Sequence, residues 1–373
     1  MWKYILPLLT LFILSCGKAN DINNSVLPPI TNLTYADVNA TQATRNLLKN
    51  LMTIGSKGTM FGHQNTTLYG TNWNGDPDRS DIKSVCGSYP AVYGWEIGKI
   101  ELDKSQNLDG ESFIAIRSHL IAAYERGGVN TITWHSTNPV TGGDSWDTTP
   151  AVKTIIPGGK NHEMYKGWLD KVATFMLSLK GSKGELIPVL FRPFHEHTGN
   201  GFWWGKGNCS ATEYVALWKF TVQYLSETKG VHNLLYVYSP DIISSQTQYL
   251  EFWPGDESVD MLGLDAYDRS SYNYAERGLQ MIRLGLSIAK AKNKPMAFTE
   301  TGLQNNSSDA KWWTEKLLKV IKGQPVAYVL IWRNASPYHF FGPYPGCVSE
   351  ADFKSFADDP STLFGNDIPN MYE

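Results

Sequence analysis

Two glutamates, Glu196 and Glu300, stand in the surroundings that most clearly suggest chemistry. Glu196 belongs to the segment RPFHEHTGNGFWWG, in which an arginine and two histidines accompany the glutamate and two tryptophans follow. Glu300 belongs to FTETG, at the end of an apolar run. Charged groups beside aromatic rings are costly to bury unless they form a network. Retaining cleavage of a glycosidic bond requires one protonated and one ionised carboxyl group, held roughly 5–5.5 Å apart.

Eight short apolar runs, separated by longer helical segments, indicate the elements that would position these glutamates. Strand–helix alternation repeated eight times predicts an α/β protein, a single-domain (β/α)8 TIM barrel with a parallel sheet. The predicted strands are 58–62, 91–95, 130–134, 187–191, 234–238, 261–265, 295–299 and 326–332. The predicted helices between them are 41–54, 111–126, 162–179, 211–229, 274–292 and 309–322.

Ionisable and aromatic residues collect at the carboxyl ends of these runs, where barrel enzymes build their active sites. Besides the two glutamates, these ends carry His63, Glu96, His135, Asp265 and Arg333. The fourth and seventh strands of such a barrel lie across from each other, so Glu196 and Glu300 can face each other over its mouth. His195 and Tyr267, which lie beside them, can hold the two carboxyl groups in different protonation states.

Histidines at three strand ends raise the alternative of a metal site. These histidines are His63, His135 and His195. No carboxylate or cysteine stands at the spacing of a known metal motif, so we expect no metal and no cofactor. His63 and His135 can equally be satisfied core or loop histidines.

The segment RPFHEHTGNGFWWG resembles the acid/base segment of glycoside hydrolase family 26, the β-mannanases and their relatives, and FTETG resembles the nucleophile segment of that family. The short motifs GHQ, WH, DAY and IWRN follow the first, third, sixth and eighth predicted strands, where the family has its binding residues. The resemblance covers about residues 40–340. It implies a retaining barrel enzyme with Glu196 as acid/base and Glu300 as nucleophile.

The resemblance also implies roles for residues around the glutamates. His195 and Tyr267 would support the two carboxyl groups. Trp332 would form the floor of the sugar site just before the cut, and His135 and Arg333 would reach the next sugar out. The full set of expected substrate-binding residues is His135, His195, Trp204, Tyr267, Trp332 and Arg333.

One position departs from the family pattern. In many members an aromatic residue directly precedes the FWWG run, and this chain has Gly201 there. Weak binding beyond the cut, together with a firm hold on two sugars before it, favours release of mannobiose. The expected substrates are mannan, galactomannan and glucomannan. The alternatives are a β-glucanase or xylanase of the same family, an open cleft that gives mixed oligosaccharides, or a non-catalytic glycan-binding lipoprotein.

Composition and charge narrow the class of partner. Charged residues make up 18% of the chain and the formal net charge is −3, which argues against nucleic acid, since phosphate binding needs a basic face. The chain contains 13 Trp and 19 Tyr, residues that suit sugars and also pack well in a large core. We expect a monomer.

The first residues read as a targeting segment. Lys3 precedes an apolar stretch that is too short to span a bilayer, and Ser15-Cys16 then resembles a bacterial lipoprotein box. We expect a lipoprotein signal peptide at 1–15, lipidation of Cys16, a tether at 16–39 and the catalytic domain at 40–373. The alternative is a plain signal peptide with an incidental cysteine. The expected location is the bacterial outer membrane, facing the periplasm or the cell surface.

Overall fold

Eight parallel strands close into a barrel. The structure, a computed structural model, describes residues 33–269, 273–305 and 308–373, so that the predicted signal peptide and Cys16 lie outside the described residues. The strands are β1 (Thr59–Gln64), β2 (Val92–Glu96), β3 (Val129–Trp134), β4 (Val189–Pro193), β5 (Leu234–Tyr238), β6 (Met261–Asp265), β7 (Met296–Thr301) and β8 (Tyr328–Ile331). β8 pairs with both β7 and β1, which closes the sheet and confirms the predicted barrel.

Helices cover the outside of this barrel. They are α1 (Gln42–Ile54), α2 (Asp81–Cys86), α3 (Phe113–Glu125), α4 (Val152–Ile155), α5 (His162–Leu177), α6 (Ala211–Gln223), α7 (Gln246–Leu250), α8 (Tyr274–Ala291), α9 (Leu318–Ile321) and α10 (Glu350–Asp358). Two of the predicted helices are partly π-helical, over Tyr224–Thr228 after α6 and over Trp313–Leu317 before α9.

Two strand boundaries differ from the prediction in a way that matters for the site. β4 and β7 both begin later than predicted and extend two residues further, so that Arg192 and Glu300 belong to the strands themselves. An apolar run marks only the part of a strand whose side chains are apolar. The hydrogen-bonded ladder continues past it, with Arg192 opposite Thr133 on β3.

The apolar core fixes the strands relative to one another. Leu190, Leu235 and Ala297, from three different strands, belong to one buried cluster that also contains Leu47 and Leu51 of α1. Full burial of a leucine side chain contributes roughly 1.5–3 kcal/mol, so this cluster holds α1 firmly against the barrel. A larger cluster fills the space between the strands and the surrounding helices.

The start of α6 is set by its sequence and affects the site directly. Ser210 and Glu213 form a capping box, in which each side chain accepts a hydrogen bond from the backbone of the other residue. The box fixes the first turn of α6 and therefore the position of Tyr214, which is fully buried. The hydroxyl of Tyr214 reaches the loop after β4.

The described residues contain cysteines without disulfide partners and no helix suited to a membrane. Cys86, Cys209 and Cys347 are unpaired thiols in the structure. Within residues 33–269, 273–305 and 308–373, no helix has the length and apolar character needed to cross a bilayer.

Candidate active site

A strained turn after β4 carries Glu196. Phe194 and Glu196 both have left-handed backbone conformations, with φ of 52° and 55°. Such conformations cost on the order of 1–3 kcal/mol each in residues other than glycine and persist only where surrounding contacts enforce them. The backbone N–H of Glu196 donates to the carbonyl of Ser239, which follows β5, at 2.8 Å. This bond fixes Glu196 to the rim of the barrel between β4 and β5.

Glu300 lies in β7 and is bonded at both carboxylate oxygens. Oε1 accepts a hydrogen bond from Nη2 of Arg192, and Oε2 accepts one from the hydroxyl of Tyr267 at 2.7 Å. The other terminal nitrogen of Arg192 donates to Asp265 at 2.6 Å and to Ser239 at 2.8 Å. One buried arginine therefore serves two carboxylates, and donors oriented in this way are the partners that an ionised carboxylate prefers.

The two glutamates are in different electrostatic environments. Burial raises the pKa of Glu196 well above its ordinary value, and the negative charges of Asp265 and Glu300 raise it further. Burial alone would lower the pKa of Arg192, but the charges of Asp265 and Glu300 raise it, so the arginine remains a cation. Burial also raises the pKa of Tyr267, which keeps its hydroxyl protonated and able to donate. The site thus favours a protonated Glu196 across from a Glu300 that is bonded by a cation and a phenol.

Three side chains form a relay behind Glu196. Nδ1 of His135 lies 2.6 Å from Oε2 of Glu96, and Nε2 of His135 lies 3.1 Å from Nε2 of His195. Burial by itself would lower the pKa of His135, but the negative charge of Glu96 and the hydrogen bond to it raise the pKa by more than burial lowers it. Burial, with the charge of Arg192, lowers the pKa of His195 well below its ordinary value. A charged His135 then donates to Glu96 and to a neutral His195, which leaves Nδ1 of His195 as the N–H without a partner among the described residues.

His135 has partners for both ring nitrogens within the protein, Oε2 of Glu96 and Nε2 of His195. Its expected contact with the next sugar out stays a prediction. Its ring also packs against aromatic residues: Trp146 stacks on it at 5.2 Å, and Trp332 meets it edge-on at 6.3 Å. His135 therefore orients its neighbours.

Arg333 and Trp332, which follow β8, lie on the same rim and are both partly exposed. Nη1 of Arg333 forms an ion pair with Asp109 and donates to the hydroxyl of Tyr69 at 3.3 Å. Asp109 belongs to the loop after β2 and Tyr69 to the loop after β1, so the guanidinium joins three loops. Burial by itself would lower the pKa of Arg333, but Tyr69 and Asp109 raise it by more than burial lowers it. The guanidinium therefore remains a cation at the rim.

Trp204, one of the expected substrate-binding residues, is buried beneath other aromatic rings. Trp204 has no exposed surface, so its ring cannot stack on a sugar in this structure. Phe202 lies flat on it at 4.6 Å, and its indole N–H donates to the carbonyl of His195 at 2.8 Å. In a run of consecutive aromatics the sequence cannot tell which ring faces solvent, because the loop path alone decides that.

Gly201 stands in open space. A Cβ atom at this position would have no neighbour within 4 Å. The next residue, Phe202, lies 5.9 Å from Trp146, measured between ring centroids. Trp146 is 51% exposed, and an exposed tryptophan beside the catalytic rim offers the kind of apolar face that binds sugar rings. The rim therefore has an aromatic surface near Gly201 that comes from a different loop.

His63, the remaining histidine of the metal alternative, has both ring nitrogens buried without a hydrogen-bond partner among the described residues. Burial lowers its pKa to about 4, although the charge of Asp81 opposes the shift. No group of three or more His, Cys, Asp or Glu side chains that could hold a metal ion occurs in the part of the chain that the structure describes.

Several contributors to the site had no role assigned from the sequence. They are Arg192, Asp265, Glu96, Tyr69, Asp109 and Trp146. The first three stand in motifs or at strand ends that the sequence did single out, and paired charges at strand ends are a signal that could have identified them. Tyr69, Asp109 and Trp146 lie inside long loops, where no periodic pattern marks them.

Comparison with known proteins shows which family the chain resembles. A model of glycosyl hydrolase family 26 matches residues 36–336. A mannan endo-1,4-β-mannosidase of Bifidobacterium adolescentis is 33% identical over 380 residues, covering 94% of this chain and 36% of that protein. A mannan endo-1,4-β-mannosidase of Bacillus subtilis is 29% identical over 323 residues, covering 82% of each chain. The chain thus spans about a third of the length of the Bifidobacterium relative and most of the Bacillus one.

A solved structure shares the whole fold. The family 26 β-mannanase of Bacteroides ovatus superposes with a TM-score of 0.87 at 46% identity, covering 89% of this chain and 98% of that one.

Proposed function

Because the chain belongs to glycosyl hydrolase family 26, we propose that it is a β-mannanase that cleaves β-1,4-mannosidic linkages with retention of configuration, using Glu300 as nucleophile and Glu196 as acid/base. The family match, the mannanases among its relatives and the superposition on a β-mannanase support the activity. The observation that carries the mechanism is the contrast between the two glutamates. Arg192 and Tyr267 bond Glu300, whereas Glu196 lies in a place that favours its protonated form.

The first step forms a covalent intermediate. The carboxylate of Glu300 attacks the anomeric carbon, the bond from that carbon to the glycosidic oxygen breaks, and the proton of Glu196 passes to the departing oxygen. Glu300 becomes a neutral ester, so its negative charge no longer raises the pKa of Glu196. Glu196, now ionised, is suited to act as a base.

The second step releases the sugar. Glu196 takes a proton from water, the water oxygen attacks the anomeric carbon, and the bond to Glu300 breaks so that its carboxylate is restored. Two displacements at one carbon retain its configuration. Arg192 and Tyr267 stabilise the charge that returns to Glu300, because both are already oriented toward it before the reaction.

The sugars before the cut are held by the rim after β8. Trp332 provides an aromatic floor beside the two catalytic groups, and Arg333 provides a cation for the hydroxyl groups of the next sugar. The contacts of Arg333 with Asp109 and Tyr69 tie three loops together at this end of the site. That closure, together with the lack of a side chain at Gly201, supports mannobiose as the main product.

The substrate and the role of Glu300 can be tested together. Reducing-sugar release from mannan, mixed-linkage glucan and xylan should be much the fastest on mannan, and Glu300→Ala should abolish it while the circular dichroism spectrum stays unchanged. Faster release from glucan or xylan would identify a different enzyme of the same family. Binding of mannan by the wild-type protein with no turnover of any of the three would identify a non-catalytic binder.

Product size needs a separate measurement. Early time points on mannohexaose should show mannobiose and mannotetraose with little mannotriose. Abundant mannotriose from the start would show that the site is an ordinary open cleft.

For the cellular location, the proposal is a lipid anchor at Cys16, a tether to residue 39 and a monomeric catalytic domain at the bacterial outer membrane. The support is the sequence alone: Lys3, a short apolar stretch and Ser15-Cys16. Wild-type protein should partition into detergent, and a Cys16→Ala variant should become soluble or remain unprocessed. Recovery of the wild type wholly in the soluble fraction would refute the anchor.

A further inference from the structure

The turn that carries Glu196 requires external support. Two of three consecutive residues, Phe194 and Glu196, adopt left-handed conformations that an unsupported chain would leave. His195, between them, is almost fully buried and is part of the histidine relay. The carbonyl groups of Phe194 and His195 point away from the strand ladder and must find other donors.

Three buried side chains contact those carbonyls. The hydroxyl of Tyr214 donates to the carbonyl of Phe194 at 2.9 Å, and Nδ1 of His197 lies 3.3 Å from the same oxygen. The indole N–H of Trp204 donates to the carbonyl of His195 at 2.8 Å. All three side chains are completely buried. A buried carbonyl that loses its donor costs about 1–3 kcal/mol, a loss comparable with the strain that the turn holds.

The packing of Trp204 leaves its N–H little freedom to move. Phe202 stacks on one face with 11° between the ring planes, and Trp203 meets the ring at 85° with centroids 5.1 Å apart. Phe194, from the turn itself, packs edge-on against it at 6.0 Å. A phenylalanine at this place would keep much of the packing but could not bond the carbonyl of His195.

We infer that Trp204 is a positioning residue for Glu196: its indole N–H holds the strained turn and so aims the acid/base carboxyl at the leaving oxygen. The inference rests on the proposed role of Glu196. A displacement of about 1 Å in a catalytic group can cost on the order of a hundredfold in rate. The effect should fall on proton transfer, because Glu300 is held by a different set of contacts.

The test compares Trp204→Phe with wild type on two substrates. The kcat/KM for mannan should fall by about 10- to 100-fold, whereas that for an aryl β-mannobioside with a dinitrophenolate leaving group, which needs no proton, should change by less than about threefold. KM for mannan should stay within about twofold, because Trp204 does not touch the sugar. The alkaline limb of the pH profile of kcat/KM for mannan should move to lower pH, because a displaced Glu196 loses part of the burial, and part of the negative charge of Asp265 and Glu300, that raise its pKa.

Trp203→Phe is the matched control. It also removes an indole N–H from a fully buried ring, but that N–H donates to the backbone carbonyl of Ser136, outside the turn, at 3.0 Å. Trp203→Phe should lower kcat/KM for both substrates by the same factor. If Trp204→Phe lowers kcat/KM for both substrates by the same factor, or lowers neither, Trp204 is a packing residue and the inference is wrong.

Two further variants keep the test decisive. If Trp204→Phe does not fold, Tyr214→Phe removes another of the hydrogen bonds that support the turn, and equal losses of kcat/KM on both substrates in that variant would overturn the inference. Glu196→Gln distinguishes a failure of the positioning role from a failure of the proposed function. If Glu196→Gln lowers kcat/KM equally on mannan and on the aryl glycoside, the acid role of Glu196 is wrong. If Glu196→Gln lowers it more on mannan and Trp204→Phe does not, only the positioning role of Trp204 is wrong.

Discussion

Nη2 of Arg192 donates a hydrogen bond to Oε1 of Glu300, which lies 108 residues further along the chain and on the opposite side of the barrel. Arg192 also pairs with Asp265, and its side chain is only 2% exposed. One buried cation therefore faces two carboxyl groups. Burial raises the pKa of Glu196, and negative charge on Asp265 and Glu300 raises it further, which favours the protonated form of Glu196.

Replacing Arg192 should damage stability and activity together. In Arg192→Met the two carboxylates lose their cation, and removal of one partner from a buried ion pair costs about 3–5 kcal/mol of unfolding free energy. Denaturant unfolding would measure this loss, and turnover on mannan should be near background. Arg192→Met combined with Asp265→Asn should recover part of the stability, because one uncompensated charge is removed. No recovery would argue against the charge-pair explanation.

The bond from Tyr267 to Glu300 should affect turnover without affecting the fold. Hydrogen bonds to charged groups contribute about 1.5–3 kcal/mol, so Tyr267→Phe should lower kcat by roughly 10- to 150-fold. Tyr274→Phe is the matched control, because it removes a buried phenol that bonds Thr301 rather than the nucleophile. Equal kcat values for the two variants would show that Tyr267 does not act on Glu300.

Loss of the acid should depend on the leaving group. Glu196→Gln should lower kcat/KM on mannan by about 100- to 10,000-fold, the usual range for general acid catalysis, and should change an aryl glycoside with a good leaving group far less. Steady-state rates on both substrates measure the difference. Equal losses would contradict the assignment of Glu196 as the acid.

The charge of Asp241 should contribute to the upper pH limit of activity. Asp241 is one of the carboxylates that raise the pKa of Glu196, after burial, Asp265 and Glu300. Glu196 must be protonated for the first step, so activity falls as pH rises through its raised pKa. Asp241→Asn should lower that pKa and move the alkaline limb of kcat/KM to lower pH. Glu257→Gln, at an exposed carboxyl of the surface, should leave the profile in place.

An aromatic residue at Gly201 should change the products. Open space surrounds the position, so Gly201→Trp can be accommodated and would add a ring beyond the cut. Cleavage of mannohexaose should then move toward the middle of the chain and give more mannotriose. Gly201→Ala, which adds a side chain but no ring, should leave the pattern unchanged. An unchanged pattern in the Trp variant would mean that binding beyond the cut does not set product size.

The barrel could be predicted because its cause is local and repeated. Eight apolar runs of strand length, each followed by a helical pattern, leave few arrangements other than a parallel barrel. The same alternation places Glu196 and Glu300 on one rim. The ends of β4 and β7 were missed by two residues, because Arg192 and Glu300 are charged and a polar residue inside a ladder looks like a loop in sequence.

The sequence by itself determined the barrel fold and singled out Glu196 and Glu300 as the candidate catalytic pair; the tertiary structure decided which partners their neighbours have. Trp204 and His135 are both expected from the sequence to bind substrate; in the structure the indole N–H of Trp204 donates to the carbonyl of His195, and the ring nitrogens of His135 contact Glu96 and His195. Periodicity reports which residues are buried in a strand or helix. It contains no information on which long-range partners satisfy a polar atom, since those partners come from loops and strands far apart in the chain.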